Sequence, residues 1–172
     1  RPWPHRFFIF HQQQLVAEWY GSDAELEALG ARPQRHPIKK RYVYLGDQPV
    51  ALIDYQSQTP EVYAIHSQFV GAPIAMTNRH GQTVWPAHYQ ALGAASMASV
   101  TPQPAVAPEP DWHFPLRYPG HYADPVTGWH DNLLRTHDPQ RGHYLEPDPL
   151  GPIPGQQPLG YAQQQPWHWI GP

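Results

Sequence analysis

The sequence contains no cysteine, which excludes disulfides, thiolate metal centres and a cysteine nucleophile and leaves the redox compartment open. Charge is scarce: 15% of the 172 residues are charged, and 11 Lys+Arg against 14 Asp+Glu give a net charge of −3 with neutral histidine. Without a basic surplus to displace counterions from phosphates, an electrostatic nucleic-acid binder is excluded. No apolar run approaches the ~20 residues of a membrane-spanning helix. No signal-peptide pattern follows Arg1, so the chain reads as an internal or processed fragment.

Aromatic residues make up 13% of the chain, too many for full disorder. Proline is abundant at 23 residues, with eight before residue 101 and fifteen after it. Long helices do not tolerate that punctuation. The first part reads as β-hairpins. Phe7-Phe8-Ile9-Phe10 leads through His11-Gln12-Gln13-Gln14 into Leu15-Val16-Ala17-Glu18-Trp19-Tyr20, and Tyr42-Val43-Tyr44 leads through Leu45-Gly46-Asp47-Gln48 into Pro49–Tyr55. The two segments align at an offset of 34, Phe8 with Tyr42, Phe10 with Tyr44 and Gln14 with Gln48, as in an array whose units bury their faces on one another. Asp23–Leu29 reads as a short helix capped at Ser22, with Gly30 after it. A third hairpin is expected from 62–66 to 74–77, followed by a turn at Asn78-Arg79-His80-Gly81. Residues 94–110 form a linker or loop rich in small residues and proline. Beyond Asp111 the sequence predicts short strands and turns, with a helical turn near Asn132-Leu133-Leu134.

The stretch from Tyr63 to Gly93 and that from Leu116 to Gly151 resemble the core of Rhs/YD-repeat proteins. Leu116-Arg117-Tyr118-Pro119-Gly120-His121-Tyr122 is similar to the family's L-R-[FY]-P-G-Q-Y. Asp124, Thr127-Gly128 and Asn132 follow it. Arg135-Thr136-His137-Asp138-Pro139 is similar to R-Y-Y-D-P, and Tyr144-Leu145-Glu146-Pro147-Asp148-Pro149-Leu150-Gly151 to the [FY]-[IL]-S-x-D-P-x-G ending.

The resemblance implies an all-β fold, antiparallel hairpins in a curled sheet that forms part of a shell, with an irregular proline-rich plug. The implied divisions are 1–93 for hairpins and the start of the core, 94–110 for the linker, and 111–172 for the rest of the core, the plug and a degenerate self-cleavage region. The implied role is encapsulation and delivery of a C-terminal toxin domain absent from this chain. Implied partners are the rest of the shell, the enclosed toxin, a secretion spike with its adaptor or chaperone, and an immunity protein. The implied setting is a bacterial protein made in the cytoplasm and secreted by a type VI or toxin-complex route.

The family's core cuts itself with two aspartates, each in an Asp-Pro-x-Gly sequence, and an upstream arginine. A close carboxylate pair splits its pKa values, so that one member acts as general base while the other polarises the scissile carbonyl. Asp148 and Arg135 match the pattern. Gly171 stands where the second aspartate belongs, which leaves Asp148 ionised and the dyad broken. A naturally inactive copy, an engineered change and a non-native chain end all account for the glycine. The alternative function is therefore an aspartyl self-cleaving segment that is inactive here. A further alternative is a surface or carbohydrate-binding YD-repeat module, although aromatics in hairpin ribbons are mostly packing partners.

No cofactor is expected. The 12 histidines include His130 and His137 seven residues apart and His113 and His121 around a Pro-Gly turn. None makes an i, i+4 pair with a carboxylate, and they read as solvated or hydrogen-bonding rather than metal-binding. No serine lies in a Gly-x-Ser-x-Gly elbow.

Overall fold

A computed structural model of the chain describes residues 5–29, 38–90, 94–97, 114–149, 151 and 157–162. Eight strands run as an antiparallel meander in chain order: β1 (His5–His11), β2 (Gln14–Gly21), β3 (Lys40–Leu45), β4 (Gln48–Asp54), β5 (Glu61–Ser67), β6 (Pro73–Thr77), β7 (Thr83–Tyr89) and β8 (Ala95–Met97). A second sheet holds β9 (His121–Ala123), β10 (His130–Asn132), β11 (Arg135–Asp138) and β12 (His143–Tyr144), also antiparallel and in chain order. The fold is thus all-β, built from hairpins in open sheets.

The repeat seen at an offset of 34 is reproduced in register. The first hairpin pairs His11 with Gln14 and shifts register between Ile9 and Phe10. The second pairs Leu45 with Gln48 and shifts between Val43 and Tyr44. Bulge and turn therefore recur at equivalent positions. Gln12 and Gln13 both take positive φ, and Gly46 does so at the position matching Gln12, as the twist of a two-residue hairpin turn demands. Gln14 Nε2 donates to the Gly46 carbonyl (2.9 Å) and to Asp47 Oδ1 (3.2 Å), tying one turn to the next.

Proline sits where a ladder tolerates it. Pro73 opens β6, Pro49 flanks the bulge, and the β7–β8 ladder begins past Pro86, at Ala87. The helix α1 spans Asp23–Leu29. Ser22 Oγ accepts from the Glu25 amide (3.3 Å) while Glu25 Oε2 accepts from the Ser22 amide (2.8 Å), a reciprocal capping box. Gly30 lies outside the described residues. So do most of the expected linker and residues 111–113, and β8 occupies part of 94–97.

The core forms where the curled sheet closes over the segment from Phe114 to Tyr122. Leu15, Tyr42, Leu52, Ile65, Met76, Val84, Trp85 and Ala87 meet Phe114, Leu116 and Tyr122. Leu52 and Met76 are fully buried, each contributing roughly 1.5–3 kcal/mol of transfer free energy. Trp85 packs edge-on to Phe114 with centroids 4.7 Å apart, and the Arg117 guanidinium lies 5.5 Å from the Trp85 ring. Aromatics act chiefly as packing here: Trp19, Trp85, Tyr42, Tyr118, Tyr144 and Tyr161 are buried.

Candidate functional site

The second sheet carries an unusual face. Across its ladders Asn132 opposes both His121 and Arg135, His130 opposes Ala123 and His137, and His137 opposes Tyr144. Strand alternation puts all these residues on one side, and each is buried. This is a polar core, set against the cluster of Ala72, Tyr118, Tyr144, Tyr161 and Ala162.

Local chemistry fixes each strand. Tyr118-Pro119-Gly120-His121 is a turn closed by the His121 amide donating to the Tyr118 carbonyl (2.8 Å). Proline fits its second position, and the third needs the left-handed backbone that Gly120 supplies at φ +81°. A Cβ at Gly120 would lie 3.0 Å from Asn132 Oδ1, so glycine also lets β10 approach. Asp124 Oδ1 accepts from the Val126 and Thr127 amides (2.6 and 3.2 Å) to shape the β9–β10 connection. The β10–β11 connection is Leu133-Leu134, with Leu133 at φ +55°. The expected helical turn at 132–134 is thus a two-residue hairpin turn, because cross-strand pairing on both sides outweighs local helix propensity. Asp138 Oδ1 accepts from the Gln140 and Arg141 amides (2.9 and 3.2 Å), and Oδ2 from Arg141 Nη1 (2.7 Å), which closes the turn into β12.

Arg135 and Asp148 meet. Nη1 of Arg135 lies 3.3 Å from Asp148 Oδ2, the arginine side chain almost wholly buried and the aspartate partly exposed. The guanidinium carbon stands 3.6 Å from the centroid of the Tyr144 ring, whose hydroxyl accepts from Asn132 Nδ2 (2.6 Å). Arg135 is therefore held as a planar cation on an aromatic face with a carboxylate at its tip. Gly151 N donates to the Asp148 carbonyl (2.9 Å). Gly171 lies outside the described residues.

Three histidines gather on the same face of the sheet. Ring centroids are 5.7 Å apart for His121 and His130, 5.2 Å for His121 and His137, and 5.8 Å for His130 and His137. One ring nitrogen of each lies within 4.8 Å of the others. The expectation of solvated or hydrogen-bonding histidine does not hold for these three. All are buried, and both nitrogens of His121 and His137 and Nδ1 of His130 lack a hydrogen-bond partner among the described residues. Burial is the main force holding them neutral: it takes His121 well below the usual imidazole range, aided by His130 and His137. Burial, then Arg117 and His137, push His130 down to about 3 against the pull of Asp138. Burial pushes His137 down to about 4, with Asp138 opposing and His143 adding to it.

The larger sheet buries charge too. Glu18 opposes Lys40, which opposes Asp54. All three are buried, and Tyr42 donates its hydroxyl to Glu18. Burial lowers the Lys40 pKa, while the two carboxylates act to raise it. Nothing in the hairpin pattern marked this row, since Glu18 and Lys40 belong to strands joined by a helix.

Of known proteins, the chain is 33% identical over 166 residues to the double-stranded DNA deaminase toxin A of Burkholderia cenocepacia, covering 96% of this chain and 11% of that protein. It is 29% identical over 104 residues to toxin protein Tse5 of Pseudomonas aeruginosa, covering 59% of this chain and 7% of that one. The crystal structure of TcdB2-TccC3 without its hypervariable C-terminal region superposes with a TM-score of 0.55 at 14% identity, over 97% of this chain and 9% of that one. The chain belongs to the Rhs family. The Photorhabdus luminescens Tc holotoxin pore carries the same Rhs fold, with a TM-score of 0.52, 14% identity, and coverage of 97% of this chain and 10% of that one. No family model matches the chain. This Rhs segment spans about a tenth of the length of the relatives it matches. No helix among its described residues is long and apolar enough to cross a membrane.

Proposed function

We propose that this chain is a structural part of an Rhs-type shell that encloses and helps deliver a C-terminal toxin domain. The carrying observation is the open meander of repeated hairpins, because such a sheet is completed only by further hairpins. The reading is supported at β1, an edge strand of the sheet among the described residues, where Phe8, Ile9 and Phe10 are each 39–55% exposed, a configuration that invites strand addition. In this reading residues 1–93 are wall, 94–110 a connection, and 111–172 the inward plug. The partners are the remaining shell and its cargo, with a secretion spike, adaptor and immunity protein at later steps of a type VI or toxin-complex route.

The test is limited proteolysis of the intact polypeptide. Expected is a C-terminal region that resists protease until the shell is opened by denaturant. Cleavage of that region at the rate of an unfolded chain in native buffer would refute enclosure.

The second reading, a self-cleaving segment, is favoured by the Arg135–Asp148 contact. There Arg135 orients and stabilises charge, and Asp148 is one of two carboxylates. Extending the polypeptide past Pro172 and introducing Gly171→Asp separates the readings by intact mass. Scission that appears only with the aspartate supports the chemistry, and an uncut product leaves the shell role alone.

A further inference from the structure

The three-histidine cluster serves neither reading of the site. Both nitrogens of His121 and His137 and Nδ1 of His130 have no hydrogen-bond partner among the described residues to account for their burial. Burying an imidazole without hydrogen bonds costs the desolvation of each unsatisfied nitrogen. Three such rings facing one another on adjacent strands need a shared partner. That partner must be an electron-pair acceptor able to satisfy three neutral nitrogens at once, or a hydrogen-bonded water.

We propose that His121, His130 and His137 bind a divalent transition-metal ion of the zinc class, which pins β9, β10 and β11 together. Two features carry this. The donors are all imidazole, the ligand type that suits zinc, copper, nickel and iron rather than magnesium or calcium. One nitrogen from each ring already lies within 4.8 Å of the others; tetrahedral zinc bonds of about 2.0–2.1 Å put its nitrogens roughly 3.3 Å apart, so each ring needs to move by no more than about 1 Å.

Charge of both signs lies near: Asp138, paired with Arg141 at 2.7 Å, adjoins His137, and Arg117 acts on His130. Tyr161 packs its ring centroid 4.9 Å from that of His121 and 4.8 Å from that of His137, and the fourth position of a tetrahedral ion goes to water. His121 also lines a cleft of about 340 Å³ bounded by the Gln12–Gln14 turn, Tyr118 and Asn132.

The experiment uses the intact polypeptide, stripped by chelation and titrated with Zn²⁺ alone, beside His130→Phe and His137→Phe variants that keep a ring in each place. Zinc bound elsewhere in the polypeptide is counted in the variants and subtracted. Expected is one further equivalent per chain in the wild type, weakened roughly 100-fold or more in either variant, and a thermal midpoint that falls on adding chelator only in the wild type. No cluster-dependent equivalent, or one retained by both variants, would overturn the proposal and leave a water-bridged trio. Should the variants not fold, Co²⁺ in the wild type decides. An intense visible spectrum of tetrahedral nitrogen coordination supports the site, and a weak octahedral spectrum, or none, overturns it.

Discussion

Removing the arginine of the Arg135–Asp148 pair should cost more than neutralising the aspartate, and the two effects should not add. At 3.3 Å and an effective dielectric of ~20, the attraction is about 5 kcal/mol before desolvation. Most of that offsets the removal of the guanidinium from water, since the arginine side chain is only 6% exposed. The aspartate, at 27%, keeps part of its hydration. Arg135→Ala also forfeits the stack on Tyr144 and the packing of its methylene stem. A loss of about 3–5 kcal/mol is expected. Asp148→Asn keeps shape and one acceptor oxygen and leaves the guanidinium with a weaker partner, for about 1–2 kcal/mol. The double variant should lose roughly 1–2 kcal/mol less than the two single losses combined, the signature of a direct contact. Urea unfolding followed by the buried Trp19 and Trp85, extrapolated to water, reads these values. A coupling below about 0.3 kcal/mol, or an aspartate variant as damaging as the arginine one, would refute the geometry as an energetic unit.

Other consequences are simpler. Leu52, wholly buried between Tyr42 and Tyr63 across the ladders, should lose about 2–5 kcal/mol as Leu52→Ala in the same urea assay. Ser22→Ala should cost about 1 kcal/mol and raise amide exchange in α1 without affecting β4 or β5. Alkali should unfold the chain. Burial raises the pKa of Tyr42 and Tyr44, with Glu18 adding to it at Tyr42. Their contribution is whole below pH ~10, the unfolded value, and falls above it by about 1.4 kcal/mol per pH unit for each tyrosine. Lys40, lowered by burial, acts in the opposite sense only up to ~10.4, so the net slope above that is downward. Urea midpoints between pH 8 and 11.5 should fall past pH 10, and a Tyr42→Phe, Tyr44→Phe variant should lessen the fall.

How far the fold was legible follows from what each segment asks of its neighbours. The first two hairpins were readable because their apolar runs, turn residues and offset of 34 agree, and the structure repeats even their bulges. Tyr118-Pro119-Gly120 declared its own turn. The second sheet was not readable, because its strands are two to four residues long and β10 and β11 alternate polar with polar. One mistaken element hid the histidine cluster. A two-residue turn at Leu133-Leu134 forces His130 opposite His137, whereas a helical turn there sends them apart. The seven-residue spacing was noticed, and its meaning depended on the turn. His121 joins through the next ladder, where Asn132 faces it.

The two sheets are held by different physics. In the larger one a row of buried apolar side chains does the work, and the Glu18–Lys40–Asp54 row is a local exception whose charges neighbour one another. In the smaller one the inward face offers His121, His130, Asn132, Arg135, His137 and Tyr144, and little hydrocarbon to transfer. Such a face stabilises only if each polar group finds its partner, since the penalty for one left over rivals the gain from one satisfied. Arg135 has Tyr144 and Asp148, and Asn132 has Tyr144. The histidines are the remainder, at the centre of the face, where an apolar residue would have packed at no such cost. Retaining imidazole there is understandable if something binds it. An ion at that point would set the register of three short strands that hydrophobic alternation does not specify, and through β11 it would hold Arg135 in place beside Asp148.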